Sequence, residues 1–168
     1  TTGGAAGSCI AIGSDALGAN TTGSNNLAIG QTTAGAITTG VSNVTIGNWA
    51  LDATTTGTWN IAIGQNALTT NTTATYNNAF GGGALAANTT GANNSAFGYN
   101  ALGAVTTGIG NTSMGLNAGD TITTGSYNVL IGQACDTSIA NAQNQIVIGN
   151  VNQVGKGDNT GFIAPATG

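Results

Sequence analysis

Glycine returns every 17 residues along almost the whole chain: Gly13, Gly30, Gly47, Gly64, Gly81, Gly98, Gly115, Gly132 and Gly149, with no insertion or deletion. A period this strict over nine copies means one supersecondary unit stacked on itself. Each copy then meets only its neighbours, so the chain folds as an array rather than around a central cleft.

Other residues keep phase with the glycine. Directly before it stands a bulky apolar column: Ile12, Ile29, Ile46, Ile63, Phe80, Phe97, Met114, Ile131 and Ile148. Two before it the residue is usually small, as at Ala28, Ala62 and Ala96, until Leu130 and Val147. Three before it come Ile10, Leu27, Val44 and Ile61, then the polar Asn78, Ser95 and Thr112, then Val129 and Ile146. Four before it runs an asparagine column: Asn26, Asn43, Asn60, Asn77, Asn94, Asn111 and Asn128, bounded by Cys9 and Gln145. An Ala-Leu pair and a Thr-Thr-Gly corner complete the unit, N-x-A-I-G-x-x-A-L-x-x-N-T-T-G-x-x.

Seventeen residues are too few for a helical hairpin repeat, which takes about 30 or more. Glycine supplies tight corners and close backbone approach, and Ile, Val, Thr and Phe favour strands. The sequence therefore predicts an all-β fold, a parallel β-roll or β-solenoid of nine 17-residue coils with two short strands each. The first strand is N-x-A-I-G; the second, weaker one lies around A-L-x-x-N-T-T. Coils stacked about 4.8 Å apart give a rod of about 38 Å. Residues 1–7 read as an entry segment, 8–153 as the roll, and 154–168 as a terminating segment leading toward a further domain. Stacked asparagines can form a continuous amide ladder, each side-chain carbonyl accepting from the next amide.

Strand alternation puts the two bulky columns on one face and the alanine and asparagine columns on the other. A thin coil can be filled by the small face, which leaves the bulky face outward and in need of a partner; the other assignment, bulky side inward, would leave a single chain adequate. With five acidic residues, one basic residue and no histidine, few charges guard that face against association. A homotrimer is the expected assembly.

The same composition limits chemistry. Acid–base work falls to Asp15, Asp52, Asp120, Asp136, Asp158 and Lys156, which occupy different coils and phases. No catalytic residue, metal site or cofactor is expected, and the chain is not read as an enzyme. Gly81-Gly82-Gly83 lacks the lysine of a phosphate loop. A pI of 4.1 leaves almost nothing to neutralise phosphates, so nucleic acid is not an expected partner. No apolar run approaches 18 residues, so membrane insertion as a helix is not expected either. Cys9 and Cys135 lie seven coils apart, about 33 Å, too far for a bridge within the chain. The sequons at Asn20, Asn43, Asn71, Asn88 and Asn111 follow from the repeat and read as incidental. Trp59, Tyr76 and Tyr127 share one turn phase, with Trp49 and Tyr99 on the other turn. Trp59 and Tyr76 fall on adjacent coils, where they could stack, and are the candidate contacts for a glycan.

The N-x-A-I-G core and strict coil period resemble the head domains of trimeric autotransporter adhesins, which are trimers of parallel β-rolls. The N-T-T-G-x-x-N-x-A-I-G-x-x-A-L form is more similar to repeat regions of phage tail fibres and related bacterial fibre proteins. Ile146-Val147-Ile148-Gly149 and Gly161-Phe162-Ile163-Ala164 match segments that often end such rolls. The resemblance covers roughly residues 8 to 164, and the 17-residue period favours the fibre form over the shorter adhesin period. It implies a structural segment of an extracellular trimeric fibre, in a virion or at a cell surface, joined to other fibre segments and supporting host attachment. An adhesin head binding surface glycan or matrix is the alternative. A third reading, an ice-binding solenoid, rests on the stacked threonines. Adjacent threonines of a strand would point to opposite faces, giving one column rather than a Thr-x-Thr array.

Overall fold

A computed structural model describes residues 7–164. The entry segment expected over residues 1–7 therefore lies almost wholly outside the described residues, as does the end of the terminating segment, 165–168. Ten strands form one sheet in chain order, every neighbouring pair parallel. They are β1 (Ile10–Ile12), β2 (Leu27–Ile29), β3 (Val44–Ile46), β4 (Ile61–Ile63), β5 (Asn78–Phe80), β6 (Ser95–Phe97), β7 (Thr112–Met114), β8 (Val129–Gln133), β9 (Ile146–Val151) and β10 (Gly161–Ala164). Each residue of β1 to β7 pairs with the residue 17 positions on, as Ile61 does with Asn78 and Ile63 with Phe80. The protein is a parallel β-solenoid. In β10, Gly161 pairs with Ile146, so a slightly shorter final coil adds one more rung inside the terminating segment.

The second strand expected around A-L-x-x-N-T-T does not form; every strand among the described residues is an N-x-A-I-G strand or its counterpart. The reason is backbone handedness. In the coil opened by Gly47, φ is +130° at Gly47, +58° at Trp49, +53° at Leu51 and +58° at Trp59. Left-handed residues cannot continue a pleated strand. The chain winds through successive turns instead, yet stays laddered to the next coil: the Leu51 N–H donates to Ala67 O at 2.9 Å, and the Ala53 N–H to Thr69 O at 3.1 Å.

Leucine tolerates this conformation because it is buried there. Leu17, Leu51, Leu68, Leu85 and Leu102 all have φ of 51° to 53°, and each is enclosed in the core. A left-handed residue costs about 1–2 kcal/mol, and burying a leucine side chain returns about 1.5–3 kcal/mol. At Gly119 the column loses its leucine, and a Cβ there would lie 2.7 Å from Leu102 Cδ2 and 3.0 Å from Leu130 Cδ1. Leu102, Leu130 and Ile122 fill the space that a side chain there would take, and Leu130 is the large residue that interrupts the small column.

The interior is therefore the small face. Ala28, Thr45, Ala62, Ala79, Ala96 and Ser113 are fully enclosed, as is the asparagine column from Asn43 onward. The bulky columns point outward, half-buried or exposed along the whole sheet. The strand glycines are required twice over. Gly64 has φ +134°, and a Cβ there would lie 2.5 Å from the carbonyl carbon of Gly81.

Candidate functional site

The asparagine column is a completed ladder. Asn43 donates its backbone N–H (2.9 Å) and its Nδ2 (3.1 Å) to Asn26 Oδ1. The same double contact recurs from Asn60 to Asn43, from Asn94 to Asn77, from Asn111 to Asn94 and from Asn128 to Asn111. Asn77 donates its backbone N–H to Asn60 Oδ1 at 3.0 Å. Each Nδ2 also donates across the coil to the carbonyl that closes the Thr-Thr-Gly corner, as from Asn94 to Gly108 O at 2.9 Å. Both ends are capped. Cys9 Sγ donates to Gly23 O at 3.5 Å, standing in for the amide. Gln145 accepts no hydrogen bond from a further coil among the described residues and instead turns its amide to Ser138, donating Nε2 to Ser138 Oγ at 2.8 Å and accepting from the Ser138 N–H at 3.1 Å. The ladder is scaffold, with its polar atoms consumed internally.

The asparagine of the N-T-T corner forms a second polar column, interrupted by aliphatic residues, whose burial the repeat unit did not reveal: Asn20, Ile37, Thr54, Asn71, Asn88, Val105 and Ile122. All are buried. Asn88 Nδ2 donates to Asn71 Oδ1 (3.1 Å), and Asn71 Nδ2 to Thr54 Oγ1 (2.9 Å). The residues that follow Asn20 and Asn88 in the column, Ile37 and Val105, have no side-chain donor to offer Asn20 Oδ1 and Asn88 Oδ1. Those two buried oxygens accept no hydrogen bond. The five sequon asparagines named above belong to these two buried columns, so the folded chain does not present them for modification; a sixth sequon, Asn93-Asn94-Ser95, begins at an exposed turn residue.

Two features are available to other molecules. The first is the sheet's outer face, where the columns of Ile12 and Ile10 run side by side over ten strands without one charged residue. Ile12 is 58% exposed and Met114 48%. In its middle Phe80 and Phe97 stack, ring centroids 4.9 Å apart and planes 7° from parallel. The second feature is the margin of that face. Trp59, Tyr76 and Tyr127 occupy the turn just before the ladder asparagine, each with φ of 58° to 60°. Asn25, Asn93, Asn144 and Asn159 hold the same left-handed position in other coils, and asparagine adopts it at lower cost. Trp59 and Tyr76 are each 56% exposed. With Ser42, Val44, Ile61 and Asn78 they line an open, mainly apolar groove of about 400 Å³. The ring pair that stacks among the described residues is Phe80–Phe97, not Trp59–Tyr76. On the other turn, Tyr99 lies against Gly82, whose added Cβ would sit 3.4 Å from the ring.

The titratable groups do not converge. Among the described residues no three metal-ligating side chains cluster. Asp136 is the most enclosed carboxylate; burial raises its pKa above the ordinary 3.8, opposed by hydrogen bonds from Thr121 and Thr137. Burial likewise raises Asp52, opposed by a hydrogen bond from the Gly35 backbone. Cys135 is buried, Cys9 half-buried, and both thiols are free. The first threonine of each corner donates its hydroxyl to the next coil, as Thr38 does to Thr55 O and Thr89 to Thr106 O. The second, from Thr22 to Thr124, is exposed in every coil. The expected opposite-face alternation has no basis here, because this segment is not a strand; what separates the columns is that the first one's donors are used within the chain.

Comparison with family models, with curated proteins and with solved structures returned no match.

Proposed function

We propose that this chain is a rigid segment of an extracellular homotrimeric fibre, a phage tail fibre or similar appendage, and that the outer sheet face is its subunit interface. One observation carries the reading. The coil interior is already closed by alanine, leucine and the asparagine ladder, yet a full-length sheet face of Ile, Leu, Val, Phe and Met remains outside. Monomeric proteins rarely leave a large continuous apolar patch to water. Three copies closing these faces together remove it, and closed symmetry stops further growth. The mechanism is mechanical. Ladders along the axis and apolar packing across it hold a distal tip away from its base, and the chain performs no catalysis. Virion or cell-surface placement follows from this role.

Light scattering on the unheated protein tests it. A mass three times the 16.1 kDa chain supports the reading. A folded monomer overturns it.

The groove favours a second reading, an adhesin-like contact with a neutral glycan. Two aromatic residues held left-handed at conformational cost, beside the hydroxyl of Ser42 and the amide of Asn78, match the apolar face and hydroxyl rim of a pyranose ring. Tryptophan fluorescence titrated with neutral methyl glycosides would show saturable binding, lost in Trp59→Ala and Tyr76→Ala and kept in Tyr99→Ala. The ice-binding reading gains nothing comparable, since the donors of one threonine column are committed to carbonyls.

A further inference from the structure

The outer face has one interruption. Asn78, Ser95 and Thr112 replace the aliphatic residues of their column on three successive rungs, paired in register with one another. In the adjacent column of those rungs stand Phe80, Phe97 and Met114. Asn78, Ser95 and Thr112 are half-buried, and no hydrogen bond within the described residues holds their side chains. Apolar rungs lie on both sides of this polar belt.

We infer that the belt fixes the axial register of one copy of this chain against another. The inference rests on the trimeric reading above, which also supplies the parallel orientation. The occupant of the face is a second copy for two reasons on the molecule itself. The face carries no charge, so it complements an uncharged surface. It is also a ladder of evenly spaced rungs, which an identical ladder matches along its whole length.

Without the belt, that match would be degenerate. An unbroken aliphatic ladder slides by one rung at little cost except at its ends. With the belt, parallel copies in register place Asn78 beside Asn78, Ser95 beside Ser95 and Thr112 beside Thr112, so each polar group finds a partner. A slip of one rung sets Asn78 against Ile61 and Thr112 against Val129, leaving buried polar groups without hydrogen bonds. A single polar position in an apolar seam specifies register in the same way.

Cysteine reporters read the register directly. In a Cys9→Asn, Cys135→Ala background, chains carrying Ile29→Cys are co-expressed with differently tagged chains carrying Ile46→Cys. The assembly is oxidised, and the disulfides are quantified by mass spectrometry. The expected result is at least a tenfold excess of 29–29 and 46–46 bridges over 29–46 bridges. In the triple variant Asn78→Val, Ser95→Val, Thr112→Val that excess falls to about twofold or less. Thr112→Val alone keeps most of it and controls for folding. A trimer whose triple variant keeps the full excess overturns the belt while leaving the fibre reading intact. A trimer that forms neither bridge has these faces apart and also overturns it. A monomeric mass overturns the association itself, and the belt with it.

Discussion

Removing one amide from the middle of the ladder should cost more than almost any other single substitution in this chain. Asn94 Oδ1 accepts from the Asn111 N–H at 2.9 Å and from Asn111 Nδ2 at 3.1 Å. Its Nδ2 donates to Asn77 Oδ1 at 3.3 Å and to Gly108 O at 2.9 Å. Alanine removes all four contacts, each worth about 1 kcal/mol net. It also strands the Asn111 N–H and the Gly108 carbonyl in an interior closed to water, and each stranded group costs about 1–3 kcal/mol. With each stranded group counted in place of its own lost bond, the expected loss for Asn94→Ala is about 4–8 kcal/mol, a large part of the roughly 5–15 kcal/mol typical of a domain. Urea unfolding followed by circular dichroism measures it, at one fixed protein concentration because association shifts the midpoint. Thr90→Ala, on the exposed threonine column, is the control and should change stability by about 0.5 kcal/mol or less. Asn26→Ala, at the start of the ladder, should fall between the two. A loss within about 1 kcal/mol of the Thr90→Ala control would refute the reasoning, because the ladder bonds would then be fully replaceable by water.

Gly64→Ala should destabilise by about 3 kcal/mol or more, since it combines strain at φ +134° with backbone overlap against Gly81. Gly57→Ala should cost less by the same measurement, because Gly57 is free of positive φ and Ala74 and Ala142 occupy the equivalent corner in other coils, though its Cβ would approach Ala74 O to 2.6 Å. Asn88→Ala should cost only about 1–2 kcal/mol: it loses the bonds to Asn71 and Gly91 but removes an oxygen that accepts nothing. Asp136 binds its proton more tightly folded than unfolded, chiefly through burial. Its contribution to stability is therefore fully present below the ordinary 3.8 and is lost as pH rises through the raised folded value. Asp136→Asn should flatten that part of the stability–pH profile while losing one of the two acceptors that the Thr121 and Thr137 N–H groups use; steeper loss of stability on acidification in the wild type would contradict the assigned direction.

The period, the columns and the parallel stacking were legible in the residues alone, because a solenoid repeats its contacts and so prints them into the chain. The Asn26-to-Asn128 ladder was legible for the same reason: identical residues at one spacing have one way to meet. The expected second strand failed at Leu51 and its equivalents, because residue type does not reveal that a leucine is left-handed. That conformation is set by the corner the coil must turn and stabilised by burial available only once neighbouring coils are stacked. The column of Asn20, Asn71 and Asn88 was visible as the N-T-T position of the repeat, but Ile37 and Val105 break it, its burial was not legible, and its two orphaned oxygens exist only relative to the next coil. The groove beside Trp59 and Tyr76 likewise needs three coils in place before it has walls. Sequence periodicity determined which residues share a face, while tertiary structure decided which face went inside. A repeat pattern is unchanged by exchanging inside and outside; only the width of the closed coil, too narrow for two isoleucine columns, selects the alanines for the core and leaves the isoleucines to face outward.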